Sequence, residues 1–299
     1  MITVFGSINM DLIATTARLP APGETVAGSS FATAAGGKGA NQALAARRAG
    51  SVVHMAGAVG NDEFAGPALT LLEEAGTDLS AVAHVATSTG TALILVGDDG
   101  ENMIAVVPGA NGTVNATDAE AAVSAMSPKD VLMLQFEVPA AAVEAALVAA
   151  RTRGVLTMLN TAPFTADTVR LARLADIVVA NETEFELTVG GDVKDRAARE
   201  EALRRLHAET GQTFVVTLGG DGVMAIRDGE IVTAMGLKIE PVDTVGAGDT
   251  FCGYLAASLD QGFAFGDALR RAAVAGSLAC LARGAQPSIP LAAAVDAAR

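Results

Sequence analysis

Short apolar runs recur along the chain at 2–5, 52–59, 131–136, 155–159, 177–180 and 214–218, hydrophobic at nearly every position rather than at every second one. Strands of that kind belong to a parallel sheet whose two faces are both covered by helices. Helical stretches lie between them: 62–75, stopped by Gly76, and 140–153, led by Pro139 at a first-turn position and stopped by Gly154. Phe251, Tyr254, Leu255, Ala256 and Leu259 recur at helical spacing as well. The pattern predicts an α/β fold: a central, mostly parallel sheet with helices on both faces. Asp228-Gly229 between 223–226 and 231–234 signals a hairpin, and so an antiparallel edge after the parallel core. Segments 12–35 and 89–107 break the alternation, with strand character and no helix. Strands 91–96 and 103–107 about Asp98-Asp99-Gly100 read as a second hairpin, and so as part of a small separate β-sheet. Without repeats, low-complexity linkers or long charge runs, residues 1–299 are expected to form one domain carrying that sheet as an insertion.

Composition narrows the partners. With 299 residues, 51% of them hydrophobic, and a mean hydropathy of +0.39, the chain can bury a large core. A net charge of −14 and a pI near 4.6 argue against nucleic acid, so any anionic ligand must be held by local donors. Cys252 and Cys280 lie in alanine-rich helical stretches and read as small buried apolar residues, not a disulfide or a metal pair. His54, His84 and His207 are scattered without ligand spacing. The chain enters a strand almost at once, without a signal region, and no apolar run reaches about 18 residues. A cytoplasmic protein that does not span a membrane is expected.

The chemistry concentrates in Val242-Asp243-Thr244-Val245-Gly246-Ala247-Gly248-Asp249-Thr250-Phe251. Gly246, Ala247 and Gly248 let the backbone aim successive amides at one point, at the positive start of a helix, which suits a phosphate oxygen. A carboxylate there repels a phosphate that is merely bound. Asp249 is better used to take a proton from a hydroxyl attacking that phosphate, the alternative being a helix cap. Gly36-Gly37-Lys38-Gly39 lacks the spacing of a P-loop, and Gly246-Ala247-Gly248 lacks the third glycine of a dinucleotide fingerprint. Asn9 and Asp11 follow the first strand, where open α/β sheets bind ligands, and they share one side if the strand continues; a turn or cap is the plainer reading. Lys38 and Asn41 sit at a helix start that carries Leu44 and stops near Gly50, and both are donors suited to a polyhydroxylated ligand.

On these residues the chain resembles the ribokinase-like family of carbohydrate and nucleoside kinases. The likeness runs nearly end to end, through Asn9-Met10-Asp11-Leu12, Pro22-Gly23-Glu24-Thr25-Val26, Gly36-Gly37-Lys38-Gly39-Ala40-Asn41-Gln42, Gly100-Glu101-Asn102, Gly109-Ala110-Asn111, Gln135-Phe136-Glu137-Val138-Pro139, Asn181-Glu182-Thr183-Glu184, Thr217-Leu218-Gly219 and Gly284-Ala285-Gln286-Pro287-Ser288, besides the glycine turn. The resemblance implies ATP-dependent phosphorylation of ribose at its terminal hydroxymethyl oxygen, with another sugar or a nucleoside as alternative acceptors and a non-catalytic sugar sensor as a remote reading. It makes Asp249 the base and the amides of Gly246, Ala247 and Gly248 the anion cradle. Asn9, Asp11, Gly37, Lys38, Asn41 and Glu137 would bind the sugar. Asn181 and Glu184 would organise phosphate and hydrated Mg2+, and Thr217, Leu218, Gly219, Gly220, Asp221 and Gly222 would follow ATP. Asp243, the carbonyls of Val245, Ala279, Ala282 and Gly284, and Ser288 would hold K+. The small sheet would act as a lid over the sugar and pair with a second copy in a homodimer. Three positions depart from the pattern: Thr161 stands where proline is common, and Ala272 and Ala273 where a larger polar side chain often meets adenine.

Overall fold

The computed structural model describes residues 1–299. In chain order it runs β1 (Ile2–Phe5), β2 (Asn9–Thr16), β3 (Gly28–Gly36), α1 (Lys38–Arg48), β4 (Val53–Gly60), α2 (Ala65–Glu74), β5 (Asp78–Val85), β6 (Gly90–Gly97) and β7 (Asn102–Val107). Next come α3 (Ala116–Ser124), β8 (Val131–Leu134), α4 (Ala140–Arg153), β9 (Leu156–Asn160), α5 (Thr168–Ala172), β10 (Ile177–Asn181), α6 (Glu182–Val189) and α7 (Arg196–Thr210). The chain ends with β11 (Thr213–Thr217), β12 (Val223–Arg227), β13 (Glu230–Ala234), α8 (Ala247–Asp260), α9 (Phe265–Ala279), α10 (Ala285–Ser288) and α11 (Ala292–Ala298).

Nine strands form the central sheet in the order β13-β12-β11-β10-β9-β8-β1-β4-β5. The pairs from β11 through β5 are parallel, and β12 and β13 close one edge antiparallel, as the Asp228-Gly229 signal requires. Both turn residues have positive φ, 52° and 80°. Alternate side chains feed two cores. Ile2, Val4, Val131 and Met133 face α1, α8 and α9, while Phe5, Leu132 and Leu134 face α3, α4 and α7. Because both faces are covered, the strands read as unbroken apolar runs.

β5 is the strand that the hydrophobic pattern missed. It is a parallel edge strand with mostly exposed side chains, Asp78, Ser80 and His84 among them, so it carries no apolar run to detect. Helix 62–75 starts later than expected, at Ala65. Pro139 occupies the N-cap of α4 rather than its first turn, and Gly154 ends that helix at φ 68°. Cys280 is half-buried just past α9, not a core residue, whereas Cys252 is fully buried.

β1 does not continue through Asn9. The chain leaves the central sheet at Gly6-Ser7-Ile8 and enters the small four-stranded sheet, ordered β3-β2-β6-β7. Asn9 and Asp11 still share one face of β2, paired with Gly36 and Ala34 of β3 and with Gly90 and Ala92 of β6. No helix is long and apolar enough to cross a membrane.

Candidate active site

Chain order reverses direction across the central sheet at β1, which sends the chain to β4 on one side and later receives β8 on the other. The crevice beyond the carboxyl ends of strands at such a point is where open α/β sheets hold ligands. The sequence supplies polar groups there from almost every strand: Ser7 after β1, Glu137 after β8, Asn160 and Thr161 at β9, Asn181 at β10 and Thr217 at β11.

Helix α1 is driven into this crevice by glycines. A Cβ on Gly39 would lie 2.6 Å from the Ser7 nitrogen, and one on Gly37, at φ 89°, would lie 2.8 Å from the Asn9 nitrogen. The Ala40 amide donates to the Ser7 carbonyl across that contact, at 2.9 Å. Helix α8 packs on α1 at Gly253, where a Cβ would stand 2.4 Å from the Ala45 Cβ. This approach sets the side chains of α1 against Asp249.

Asp249 is buried, and it is not a cap. The N-cap of α8 is Gly246, at φ 77°, with no side-chain capping bond. Asn41 Nδ2 donates to Asp249 Oδ2 and Gln42 Nε2 donates to Oδ1, both at 2.9 Å. Gly246 backs onto Ala285, whose Cα would be 2.8 Å from an added Cβ. A Cβ on Gly248 would meet no protein atom within 4 Å, so that glycine keeps the neighbouring cavity open rather than relieving a clash.

Two adjoining cavities meet at this turn and share Thr217, Thr244 and Gly248. The smaller, about 220 Å³, is polar and is lined by Lys38, Asn160, Asn181, Glu184, Gly246 and Asp249. The nearby Asp249 carboxylate, with Glu137 and Glu184, holds the Lys38 ammonium above its usual pKa against the effect of burial. The Lys38 side chain lines this polar cavity and its charge also reaches Asp11, while its backbone N–H donates to Glu137 Oε2 at 2.9 Å. Asn181 and Glu184 form a reciprocal capping box on α6. Thr161, the departure from the usual proline, donates its hydroxyl to Glu184 Oε2 at 2.8 Å.

The larger cavity, about 350 Å³, is mostly apolar. Thr217, Gly219, Gly220 and Gly222 line it, whereas the Leu218 side chain turns into the core and Asp221 faces solvent. Ala273 lines it and Ala272 does not. Thr244, Ala247, Gly248 and Phe251 of the glycine-turn stretch also line it, and residues 236–239, Pro241, Gly276, Ser277 and Cys280 complete it without any sequence motif to mark them. Only their convergence in space finds them.

Asn9, Asp11, Gly37, Asn41 and Glu137 gather near Asp249: Asn41 bonds it, Asp11 feels its charge and that of Glu137, and a Cβ on Gly37 would lie 2.8 Å from the Asn9 nitrogen. Burial, then the Glu137 and Asp249 carboxylates, push the Asp11 pKa up to about 6, with Lys38 acting against them. Asn9 Oδ1 accepts from Asn111 Nδ2 at 2.7 Å, and Glu137 Oε2 accepts from Ser7 Oγ at 2.6 Å. Asn41 Oδ1 is buried and has no partner, an acceptor left over for a ligand hydroxyl.

Asp243 staples two loops, its Oδ1 accepting from the Val245 N–H at 3.0 Å and its Oδ2 from the Gly284 N–H at 2.9 Å. The Ala279 carbonyl accepts from the Ala282 N–H at 3.4 Å, and Ser288 Oγ donates to the Ala285 carbonyl at 2.9 Å. The carbonyls of Val245 and Ala282 accept no backbone N–H.

A buried carboxylate at a glycine turn, beside a polar cavity and a cluster of polar side chains, is an arrangement that a small-molecule kinase can use. The chain belongs to the pfkB family of carbohydrate kinases, whose model matches residues 1–292. It is similar to the ribokinase of Haemophilus influenzae (34% identical over 290 residues, 97% of this chain and 95% of that one) and to the mouse ribokinase (36% over 296 residues, 97% and 91%). A deoxyribokinase of Salmonella typhi is 33% identical over 291 residues, 97% of this chain and 95% of that one. Among solved structures, that of Arabidopsis thaliana ribokinase complexed with ribose and ATP superposes with a TM-score of 0.88 at 29% identity, covering 99% of this chain and 97% of that one.

Proposed function

We propose that the chain transfers the γ-phosphoryl group of ATP to O5 of D-ribose, giving D-ribose 5-phosphate and ADP. The observation that carries this is Asp249, fixed by two amides where the anion cavity meets the cluster of Asn9, Asp11, Asn41 and Glu137. Asp249 takes the proton of the O5 hydroxyl as that oxygen attacks the γ-phosphorus. The bond to the bridging oxygen breaks, and ADP leaves with its electron pair. The amides at Gly246, Ala247 and Gly248, with Lys38, stabilise charge on the transferring group, the usual large term in such reactions. Asn9, Asp11, Asn41 and Glu137 hold the sugar hydroxyls, because a buried partner left unpaired costs affinity.

The adenine moiety enters the larger cavity, whose apolar walls suit a base. Glu184 and Asn181 fit a hydrated Mg2+, which keeps most of its waters and neutralises phosphate charge; few direct protein ligands are then needed. Asp243 with the free carbonyls of Val245 and Ala282 fits a monovalent cation. Because Ala285 supports Gly246 directly, order in that loop passes to the anion cradle. Initial rates at saturating substrates should rise with K+ and less with Na+ at matched ionic strength; equal rates would remove the cation from the account. The small sheet closes over the sugar as a lid inserted in a single domain.

The deciding experiment is an ADP-release assay over pentoses, 2-deoxyribose, hexoses and nucleosides. The highest kcat/KM is expected for D-ribose, and a larger value for any other acceptor would replace this reading.

A further inference from the structure

Gln42 and Gln135 are almost wholly buried, at 1% and 0% exposure, and the transfer reaction as described uses neither. An ionised carboxylate only accepts hydrogen bonds, so Gln42 must turn its Nε2 toward Asp249. Its Oε1 then faces Gln135, whose Nε2 donates to it at 2.7 Å. The direction of every bond in the chain Gln135→Gln42→Asp249 is thus set by the charge at its end. Gln135 Oε1 finishes the chain without a partner, lying where a Cβ on Gly6 would be, 2.1 Å away. A buried acceptor left unpaired is costly, so an alternative that satisfied it would displace this arrangement unless the rest of the chain held it.

We infer that Gln42 is a positioning residue for the base, holding the Asp249 carboxylate in the rotation that meets the acceptor hydroxyl, and that Gln135 fixes Gln42 in the orientation that donates. The inference rests on Asp249 being the base. Asn41 holds the second carboxylate oxygen but has the sugar to serve through its free Oδ1, whereas Gln42 has no atom left for a ligand. Its Nε2 is also 3.4 Å from Asn160 Oδ1, so the same donor reaches the wall of the anion cavity.

The test compares Q42M, Q42E, Q135M and Asp249→Asn with the parent chain, measuring kcat and both KM values from pH 5.5 to 9. Q42M should lower kcat about 10-fold to 100-fold, the scale expected when a reacting group is misplaced by about 1 Å. The KM for ATP should stay within about twofold, because Gln42 does not line the nucleotide cavity. Q135M, which touches neither Asp249 nor substrate, should lower kcat in the same direction by a smaller factor. Q42E keeps the shape. Protonated, it still donates to Asp249; ionised, it repels it, so its kcat should fall as pH rises where the parent's does not. Lys38, Asp11, Glu137, Glu184 and Cys252 also surround this site and are common to all the variants, so only the difference between profiles is read. Parent-like kcat in Q42M and a parent-like profile in Q42E, with Asp249→Asn inactive, would overturn the inference and leave the base in place. An active Asp249→Asn would instead overturn the base. Should Q42M fail to fold, the pH profile of the isosteric Q42E decides alone.

Discussion

At the scale of single residues, the site places the Asp249, Asp11 and Glu137 carboxylates near one another and gives each different partners. Asp249 has a donor on each oxygen, so Asp249→Asn keeps the shape but sets its NH2 against one donor, which the Asn41 or Gln42 amide must turn to relieve, and it removes the proton acceptor. Its kcat should fall by about 10² to 10⁴, the usual worth of a positioned base, with nucleotide binding preserved in a titration of the purified variant. Asp11 is the opposite case, with burial and two neighbouring carboxylates raising its pKa to about 6. The folded chain therefore holds the Asp11 proton more tightly than the unfolded chain does. That contribution to stability is fully present below about pH 3.9 and is lost as pH rises toward and past 6. An amide in place of this carboxyl does not titrate. Asp11→Asn should thus be no more stable than the parent near pH 4 and more stable at pH 7.5, by up to about 2–3 kcal/mol. It should also bind ribose more weakly. Thermal melts of the two proteins at both pH values read the sign, and a gap that narrows on going to pH 7.5 would contradict it. The chemistry of Asp249 could be read from its neighbours in sequence, but its partners could not, since Asn41 and Gln42 lie more than two hundred residues away along the chain.

Among the elements, the contact between α1 and α8 governs the site. Gly253 stands one turn after Asp249 on α8, and a Cβ there would be 2.4 Å from the Ala45 Cβ and 2.6 Å from the Gln42 carbonyl. Gly253→Ala gains helix propensity yet must push the two helices apart. The net effect should be a loss of about 1–3 kcal/mol in stability, together with a lower kcat, because Gln42 and Asn41 retreat from the base. Denaturant melts and steady-state rates measure both, and a more stable, fully active variant would show that the helices are not in the close contact described. Elements with strong local signals were legible: the strands buried on both faces, the Asp228-Gly229 hairpin, and α4 ended by Gly154. The exposed edge strand β5 was not, because its order comes from parallel pairing with β4 rather than from a long buried run of its own.

For the whole molecule, the small sheet raises the question of what covers it. Every position of β7 is exposed, yet Met103, Ile104, Val106 and Val107 are apolar; Met103 and Val107 share one face of the sheet with Phe31 on β3 and Leu93 on β6, and Ile104 and Val106 lie on the other. Apolar surface gathered on one small sheet is what a partner or ligand covers. The homodimer that the family resemblance implies would pair two such sheets. Met103 and Ile104 point to opposite faces of β7, so the double variant M103D/I104D places a charge on each. It should convert a dimer to a monomer by light scattering behind gel filtration, and a parent chain that runs as a monomer would remove the proposal.

The sequence by itself determined the layered α/β architecture, since strands buried on both faces must be apolar throughout. It also determined the glycine turn beside Asp249, since backbone freedom and a carboxylate are local properties of a few adjacent residues. Tertiary structure decided what those residues touch. Lys38 lines the smaller, polar cavity, and the Leu218 side chain packs into the core. Asn9 started a strand of the second sheet, and residues 236–239 joined the wall of the larger cavity with no motif to announce them. The physical reason is range. Turn geometry and strand burial are set by neighbours in the chain, whereas a side chain's direction and the company of a carboxylate are set by helices and loops brought together from opposite ends of it.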